Sequence, residues 1–400
     1  MSEWKEVELS ELIDFGNGKK KPESEGDIPI YGGNGILGFS ADSNYENETI
    51  IIGRVGAYCG SVYYENRPIW VSDNALAAKA KNGNSTKFIY YFLKNANLNQ
   101  HAGGSSHPLV TQTLLNSLEY EVCIDQVEQN SIAEVLSSLD DKIDLLHRQN
   151  QTLEEIAETL FRQWFVEAIQ KIEFEGDQVE GFQFDKFTKW IDGTLGGEWG
   201  KENPQGDYSK QVYCIRGTDI ADLNTGLPLK IPTRFIKENK FEKIKPEEGD
   251  LIIEISGGTE TQSTGRVTYI NSDVEKLFDL PLVFSNFCRM IKVKKPQYSF
   301  FIYCYIQYLY NQDEFFNLEN GSSGIKNLDY KALLLELDYP MPEEELVLKF
   351  HEAVRPFFKK VNKNKTQIRT LTALRDTLLP KLMSGEVRVE MNATAKMEEA

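Results

Sequence analysis

The segment Tyr31–Gly38 reads YGGNGILG, so Gly33, Gly35 and Gly38 complete the spacing G-x-G-x-x-G. In a dinucleotide site those glycines let a strand-to-helix turn bring its free N–H groups against a pyrophosphate. That chemistry requires a strand before the turn and a helix N-terminus after it. Upstream, the short DIPI carries Pro29; downstream, FSADSNYENE has no helical period and leads into the apolar run TIIIG. The glycines are therefore expected to bend a tight turn between strands, with Asn34 at its tip. Phosphate-loop, H-E-x-x-H and G-x-S-x-G spacings are absent from the sequence, as is an Asn/Asp-Pro-Pro-aromatic tetrapeptide. Asp250 and Glu254 could open a nuclease carboxylate cluster. Glu254 is followed by Ile255-Ser256, however, where Glu-x-Lys would be needed, and the two acids read as a turn residue and a strand residue. His101, His107, His147 and His351 are far apart, and Cys59, Cys123, Cys214, Cys288 and Cys304 form no C-x-x-C or zinc spacing. The expectation is a chain with no catalytic residues, no metal and no cofactor of its own.

Composition sets the class. The 400 residues carry 44 Lys and Arg against 61 Asp and Glu, a net charge of −17. On its face this opposes nucleic-acid binding, but the charge is uneven. Residues 125–185 hold 4 basic against 15 acidic residues, whereas residues 344–400 hold 11 basic against 8 acidic. The larger segments outside these are mildly acidic and could carry local basic faces. No apolar run reaches membrane-spanning length, Met1–Ser10 is too polar for a signal peptide, and five scattered cysteines fit a reducing compartment. A cytoplasmic location is expected.

The two segments of opposite charge are read as long helices. Ile132, Leu136, Leu139, Ile143, Leu146, Asn150, Leu153, Ala157, Leu160 and Trp164 are spaced 4-3-4-3, a heptad seam. A shift of 218 residues lays QNQTLEEIAETLF (Gln149–Phe161) on QIRTLTALRDTLL (Gln367–Leu379), and moves the seam onto Phe350, Val354, Phe357, Val361, Asn364, Ile368, Leu371, Arg375, Leu378 and Leu382. The acidic helix and the basic one are natural partners. Pro356 should kink the second helix or delay its start, and Leu379-Pro380 with Ser384-Gly385 should end it. Each seam holds an asparagine, Asn150 and Asn364, residues that set register when buried in a coiled coil.

The duplication extends beyond the helices. Ile52-Gly53-Arg54-Val55 pairs with Thr264-Gly265-Arg266-Val267, Lys87–Leu93 with Phe300–Ile306, and Gly103–Leu109 with Asn320–Lys326. TIIIG and DLIIEI read as short strands joined by glycine-rich turns. The expected fold class is α/β (α+β): two mixed α/β globules separated by two long helices that pair as an antiparallel coiled coil, by internal duplication. Boundaries are expected at 1–128, 129–170 for the first helix, 171–187 for a linker, 188–343, 344–385 for the second helix, and 386–400 for a tail.

The runs PIYGGNGILGF and ETIIIGRVGAYCGSVYY resemble the target-recognition domain of specificity subunits from type I restriction–modification systems. So do CIRGTDI (Cys214–Ile220), GDLIIEISGGTETQSTGRV (Gly249–Val267) and TLTALRDTLLPKLMSGEV (Thr370–Val387). The resemblance covers nearly the whole chain; a tail and the acidity of the first helix depart from it. It implies two target-recognition domains, each reading one half of a gapped asymmetric site in double-stranded DNA. It also implies helices that act as spacer and docking platform, and two modification subunits that carry S-adenosylmethionine and the methyl transfer, with restriction subunits joining to cleave. A seam of this length at ~1.5 Å per residue gives a rod of ~50 Å, up to about fifteen base pairs of duplex.

Recognition needs Lys or Arg on phosphates, and Arg, Asn, Gln or Ser on turns that reach base edges. The candidates in the first globule are Lys19, Lys20, Lys21, Asn34, Arg54, Ser105, Ser106 and His107. In the second they are Arg216, Gln262, Ser263, Arg266, Ser322, Ser323 and Lys326. The competing reading is a coiled-coil interaction scaffold without DNA affinity, which the net acidity favours.

Overall fold

The computed structural model describes residues 4–103, 108–176, 178–226, 230–259, 261–321 and 326–389. Two compact units are present, one built from 1–142 with 371–400 and the other from 143–370. Each unit thus takes a globule together with part of both long helices, so compactness does not follow the linear order of segments.

In the first unit, β1 (Trp4–Glu8) pairs antiparallel with β9 (Glu119–Cys123). β2 (Ile13–Asn17), β8 (Ala75–Ala80), β5 (Thr49–Gly53) and β6 (Val62–Glu65) form a four-stranded sheet in that order. A smaller sheet holds β4 (Gly35–Ser40), β3 (Ile28–Gly32) and β7 (Trp70–Val71), with β3 and β7 parallel. Side chains alternate across a strand, and on β5 both faces are covered. Ile50 and Ile52 join the main core with Phe88, Ile89 and Leu93 of the helix Thr86–Asn95, while Ile51 packs with Tyr31, Val71 and Ala77. Each fully buried Ile side chain contributes about 1.5–3 kcal/mol by leaving water. The main core closes on Ile132, Ala133 and Leu136 of the first long helix and on Leu379, Leu382 and Met383 of the second.

The second unit repeats the plan with insertions. β10 (Phe182–Asp185) pairs antiparallel with β21 (Tyr339–Pro342), so a strand occupies part of the stretch expected as linker. The four-stranded sheet is β11 (Ile191–Gly196), β18 (Cys288–Val293), β14 (Leu251–Glu254) and β16 (Val267–Tyr269). The smaller sheet is β13 (Thr233–Lys237), β12 (Tyr208–Ile215) and β17 (Leu282–Phe284), again with one parallel pair, β12 and β17. A third ribbon, β15 (Ser256–Gly257), β20 (Lys326–Leu328) and β19 (Glu319–Asn320), belongs to this unit. The strand orders of the two main sheets and of the two smaller sheets correspond one to one, and the helix Ser299–Asn311 stands where Thr86–Asn95 stands in the first unit. The internal duplication is present at the level of topology.

The long helices are Gln126–Phe161 and Glu344–Met383. In the first unit Arg375 Nη1 donates to Asp140 Oδ1 at 2.7 Å. In the second unit Asn364 Nδ2 donates to Asn150 Oδ1 at 2.8 Å, and the Phe161 and Phe350 ring centroids lie 6.0 Å apart. There the contacts on the second helix move toward its start as those on the first move toward its end, an antiparallel pairing. Ile132, Leu136, Ile143, Leu146, Asn150 and Ala157 are buried as the heptad requires, whereas Leu139 and Leu153 are only half-buried. Beyond Ala157 the seam changes. Burial passes from Ala157 to Phe161, still within the α-helix, and then to Phe165 in a π-helical turn over Arg162–Val166, leaving the expected Leu160 and Trp164 half-buried. In the second helix Phe358 is buried where Phe357 was expected, and Leu371, Arg375 and Leu378 are half-buried. The helix neither starts late nor breaks at Pro356, and passes through Pro380 into its last turn. Gly385, at φ +72, follows its end.

Candidate nucleic-acid interface

Backbone hydrogen bonds fix which residues of the two globules are equivalent. Ser72 N donates to Tyr31 O at 2.8 Å, and Ser285 N to Ile215 O at 2.9 Å. Arg54 N donates to Asn74 O at 3.0 Å, and Ile255 N to Phe287 O at 2.9 Å. Gly53 N donates to Ser61 O at 2.8 Å, and Glu254 N to Arg266 O at 2.9 Å. Gly32 therefore corresponds to Arg216, Gly53 to Glu254, and Ser61 to Arg266. This corrects the sequence pairing of Arg54 with Arg266. Arg54 follows β5 and matches Ile255, whereas Arg266 precedes β16; the shared G-R-V triplet sits at two different places in the scaffold.

In the second globule these positions build a cleft of ≈ 820 Å³, lined by Trp199, Arg216, Gly217, Glu254, Gln262, Arg266 and Phe287 among others. Glu254 ends the apolar strand LIIE and is 2% exposed. Arg266 holds it side-on, Nε donating to Oε2 at 2.9 Å and Nη2 to Oε1 at 2.7 Å. A side chain on Gly217 would collide with this carboxylate: an added Cβ would lie 2.3 Å from Glu254 Oε1. Arg216 is gripped the same way by the buried Asp219, from Nε at 2.9 Å and Nη2 at 2.7 Å. Hydrogen bonding to these carboxylates raises both guanidinium pKa values above the ordinary arginine value, so both stay charged. Bidentate, charge-assisted pairs of this kind hold an arginine in one orientation.

Arg216, Gln262 and Arg266, three of the sequence candidates, thus meet in one cleft. Ser263 does not join them: it is buried, and its carbonyl accepts from Tyr310 Oη at 3.1 Å. Lys326 is drawn to Glu319 at 2.9 Å, with its ammonium 4.8 Å from the centre of the Phe316 ring. Ser322 and Ser323 lie outside the described residues.

In the first globule, YGGNGILG is a β-hairpin. β3 and β4 pair antiparallel, with Gly32 opposite Gly35 and an exposed Asn34 at the turn. Gly35 has φ +82, the left-handed residue that closes such a turn. No helix follows, so the phosphate cradle is missing, as its neighbours in sequence indicated. Gly33 presses on Gly53: a Cβ on Gly53 would lie 2.9 Å from Gly33 O. Lys19, Lys20 and Lys21 are all exposed. Lys19 N donates to Val71 O as Glu198 N donates to Phe284 O, so Lys20 takes the place of the cleft residue Trp199. Lys21 Nζ lies beside the hairpin, 3.4 Å from where a Gly38 Cβ would be. Arg54 is half-buried with its Nε unpartnered, while Ser105, Ser106 and His107 lie outside the described residues. Sequence reasoning placed Glu254 on a strand but gave it no part in binding, and missed Asp219, Trp199 and the exposed hairpin residues Ile36, Leu37 and Phe39. The available signal was a lone acid closing an otherwise apolar strand.

Among the described residues no group of His, Cys, Asp and Glu could hold a metal, and no helix is long and apolar enough to cross a membrane. The fold and cleft define a duplicated, two-headed protein whose heads share strand orders and differ in the side chains they present at matching positions. Residues 1–155 match the family described as type I restriction modification DNA specificity domain. The chain is 28% identical over 352 residues to the MjaIX specificity subunit of Methanocaldococcus jannaschii, covering 83% of this chain and 76% of that one. It is 21% identical to the HindI specificity subunit of Haemophilus influenzae, over 70% and 71% of the two chains. The fold matches the crystal structure of a type I restriction–modification S subunit from M. genitalium, with TM-score 0.61 at 18% identity, covering 98% and 97%. Residues 1–155 thus match a type I restriction modification DNA specificity domain, and the chain as a whole is similar in sequence and fold to type I specificity subunits.

Proposed function

We propose that this chain is a type I specificity subunit, that each of its globules reads one half of a gapped, asymmetric site in double-stranded DNA, and that the paired helices serve as spacer and as platform for two modification subunits. The observation that carries this reading is the equivalence of Gly32, Gly53 and Ser61 with Arg216, Glu254 and Arg266. A shared scaffold with different groups at matching positions is what two unlike half-sites demand, because base contacts specify while backbone contacts position. The first head offers Lys19–Lys21 and Asn34 around a hairpin, and the second offers Arg216, Gln262 and Arg266 in a cleft. Methyl transfer and S-adenosylmethionine belong to the modification subunits, the location is cytoplasmic, and this chain contributes recognition alone. The test is selection from a randomised duplex pool by the full chain, alone and with modification subunits. Enrichment of two unlike half-sites at fixed spacing is expected; absence of any gapped sequence under both conditions would leave an interaction scaffold as the better description.

A further inference from the structure

We propose that Arg266 is a base-reading residue for guanine in the second half-site, and that Glu254 is the residue that positions it. The inference rests on the reading that the second head contacts DNA, and adds which residue reads and which base it takes. Glu254 engages Nε and Nη2, the side of the guanidinium. The opposite edge, formed by Nη1 and the second Nη2 hydrogen, makes no hydrogen bond within the described residues. That end-on fork has the geometry that meets guanine O6 and N7 together in the major groove, and the side chain, 22% exposed, lines the open cleft. Arg216 differs: its Nη2 also donates to the Lys230 carbonyl at 3.3 Å, which uses the second Nη2 hydrogen and so breaks the end-on fork.

Fixing a long flexible side chain before DNA arrives removes part of the ordering cost of binding. The buried carboxylate has no other ion-pair partner among the described residues, so the pair is isolated from the surface ion pairs. The first head supplies an internal comparison. At the positions of Glu254 and Arg266 it has Gly53 and Ser61, and the sheet forms without any ion pair there. The scaffold alone therefore does not require the pair.

The experiment uses the full chain with its modification subunits. A site is first selected from a randomised pool, and each guanine of that site is then replaced in turn by 7-deazaguanine, which lacks the N7 acceptor. The wild-type complex is expected to lose about tenfold to a hundredfold in affinity at one guanine of one half-site. Arg266→Lys, which keeps the charge and loses the fork, should bind that half-site with little base preference at the same position and no sensitivity to the substitution there. Glu254→Gln should fall between the two, and preferences in the other half-site should be unchanged in both variants. Retention of the full base preference by Arg266→Lys, or a wild-type complex indifferent to 7-deazaguanine at every position, overturns the assignment while leaving DNA reading intact. Failure to enrich any site overturns DNA reading itself and the assignment with it. The wild-type arm does not depend on the folding of any variant.

Discussion

The Asn364 amide nitrogen donates to the Asn150 carbonyl oxygen at 2.8 Å, and both side chains are buried between the long helices. The pair is incompletely satisfied, since Asn150 Nδ2 and Asn364 Oδ1 have no partner. A polar contact of this kind disfavours shifted registers at some cost in stability. Asn150→Ala should destabilise the chain by about 1–3 kcal/mol, because it leaves the Asn364 donor only the longer contact to Gln149 Oε1 at 3.5 Å. The double replacement Asn150→Leu with Asn364→Leu should melt at or above the wild-type temperature, since removing both polar partners together leaves neither stranded. A double variant less stable than either single one would show that the pair stabilises more than it costs.

Asp140 joins two elements within the first unit. Its Oδ2 accepts from Tyr91 Oη at 2.8 Å and its Oδ1 from Arg375 Nη1 at 2.7 Å. Burial first, and then the charge of Asp140, push the Tyr91 hydroxyl well above the ordinary tyrosine range. Arg375 also bonds Asp376, whose side chain is 59% exposed. Asp140→Ala is expected to cost about 2–3 kcal/mol by leaving a buried hydroxyl and a shielded guanidinium without their acceptor. Asp376→Ala, which removes a solvated acid, should cost about 0–1 kcal/mol. Urea melts of the two variants test the contrast, and equal losses would refute it.

Lys365 sits one position beyond Asn364, and its stem packs on Gly226, where an added Cβ would lie 2.8 Å from Lys365 Cγ. Burial pulls its ammonium down to about 8, opposed only in part by the Glu154 carboxylate. Below pH 8 the lysine is protonated in both folded and unfolded chains, and the cost of burying its charge is constant. Between pH 8 and about 10.5 the unfolded chain binds the proton and the folded one does not, so this group's contribution to stability improves as pH rises. Lys365→Met should be the more stable chain at pH 7 by about 3 kcal/mol, with the gap closing toward pH 10.5. Chemical denaturation of both proteins from pH 7 to 10 checks this; parallel curves would contradict it.

The parts legible from sequence are those whose signal is local. The heptad spacing, the two asparagines and the turn character of YGGNGILG each follow from residues within a few turns of one another. The burial of Phe161 and Phe165 was hidden because Leu160-Phe161 and Trp164-Phe165 are apolar doublets, and either member of each could continue the stripe. Arg54 and Arg266 were misaligned because equivalence in a sheet is set by strand register, which a short matching triplet does not report. The grip of Glu254 on Arg266 was out of reach for a related reason. It depends on β14 and β16 lying side by side, and on Gly217 leaving room for the carboxylate.

Charge balance in the cleft gives the last prediction. Arg216 and Arg266 each face a buried acid, so the second head presents directed donors with little net positive charge. In the first head the exposed Lys19–Lys21 are the concentrated basic feature. Counterion release scales with the number of phosphates neutralised, and log affinity falls by about 0.9 per contact for each decade of salt. The isolated chain should therefore show a shallow salt slope, much of it lost on replacing Lys19–Lys21 by glutamines, whereas Arg266→Lys should leave the slope nearly unchanged. The complete complex should be markedly steeper, because the modification subunits supply the remaining phosphate contacts. Titration of duplex binding between about 50 and 200 mM salt measures both; equal slopes for chain and complex would place the phosphate clamp on this chain instead.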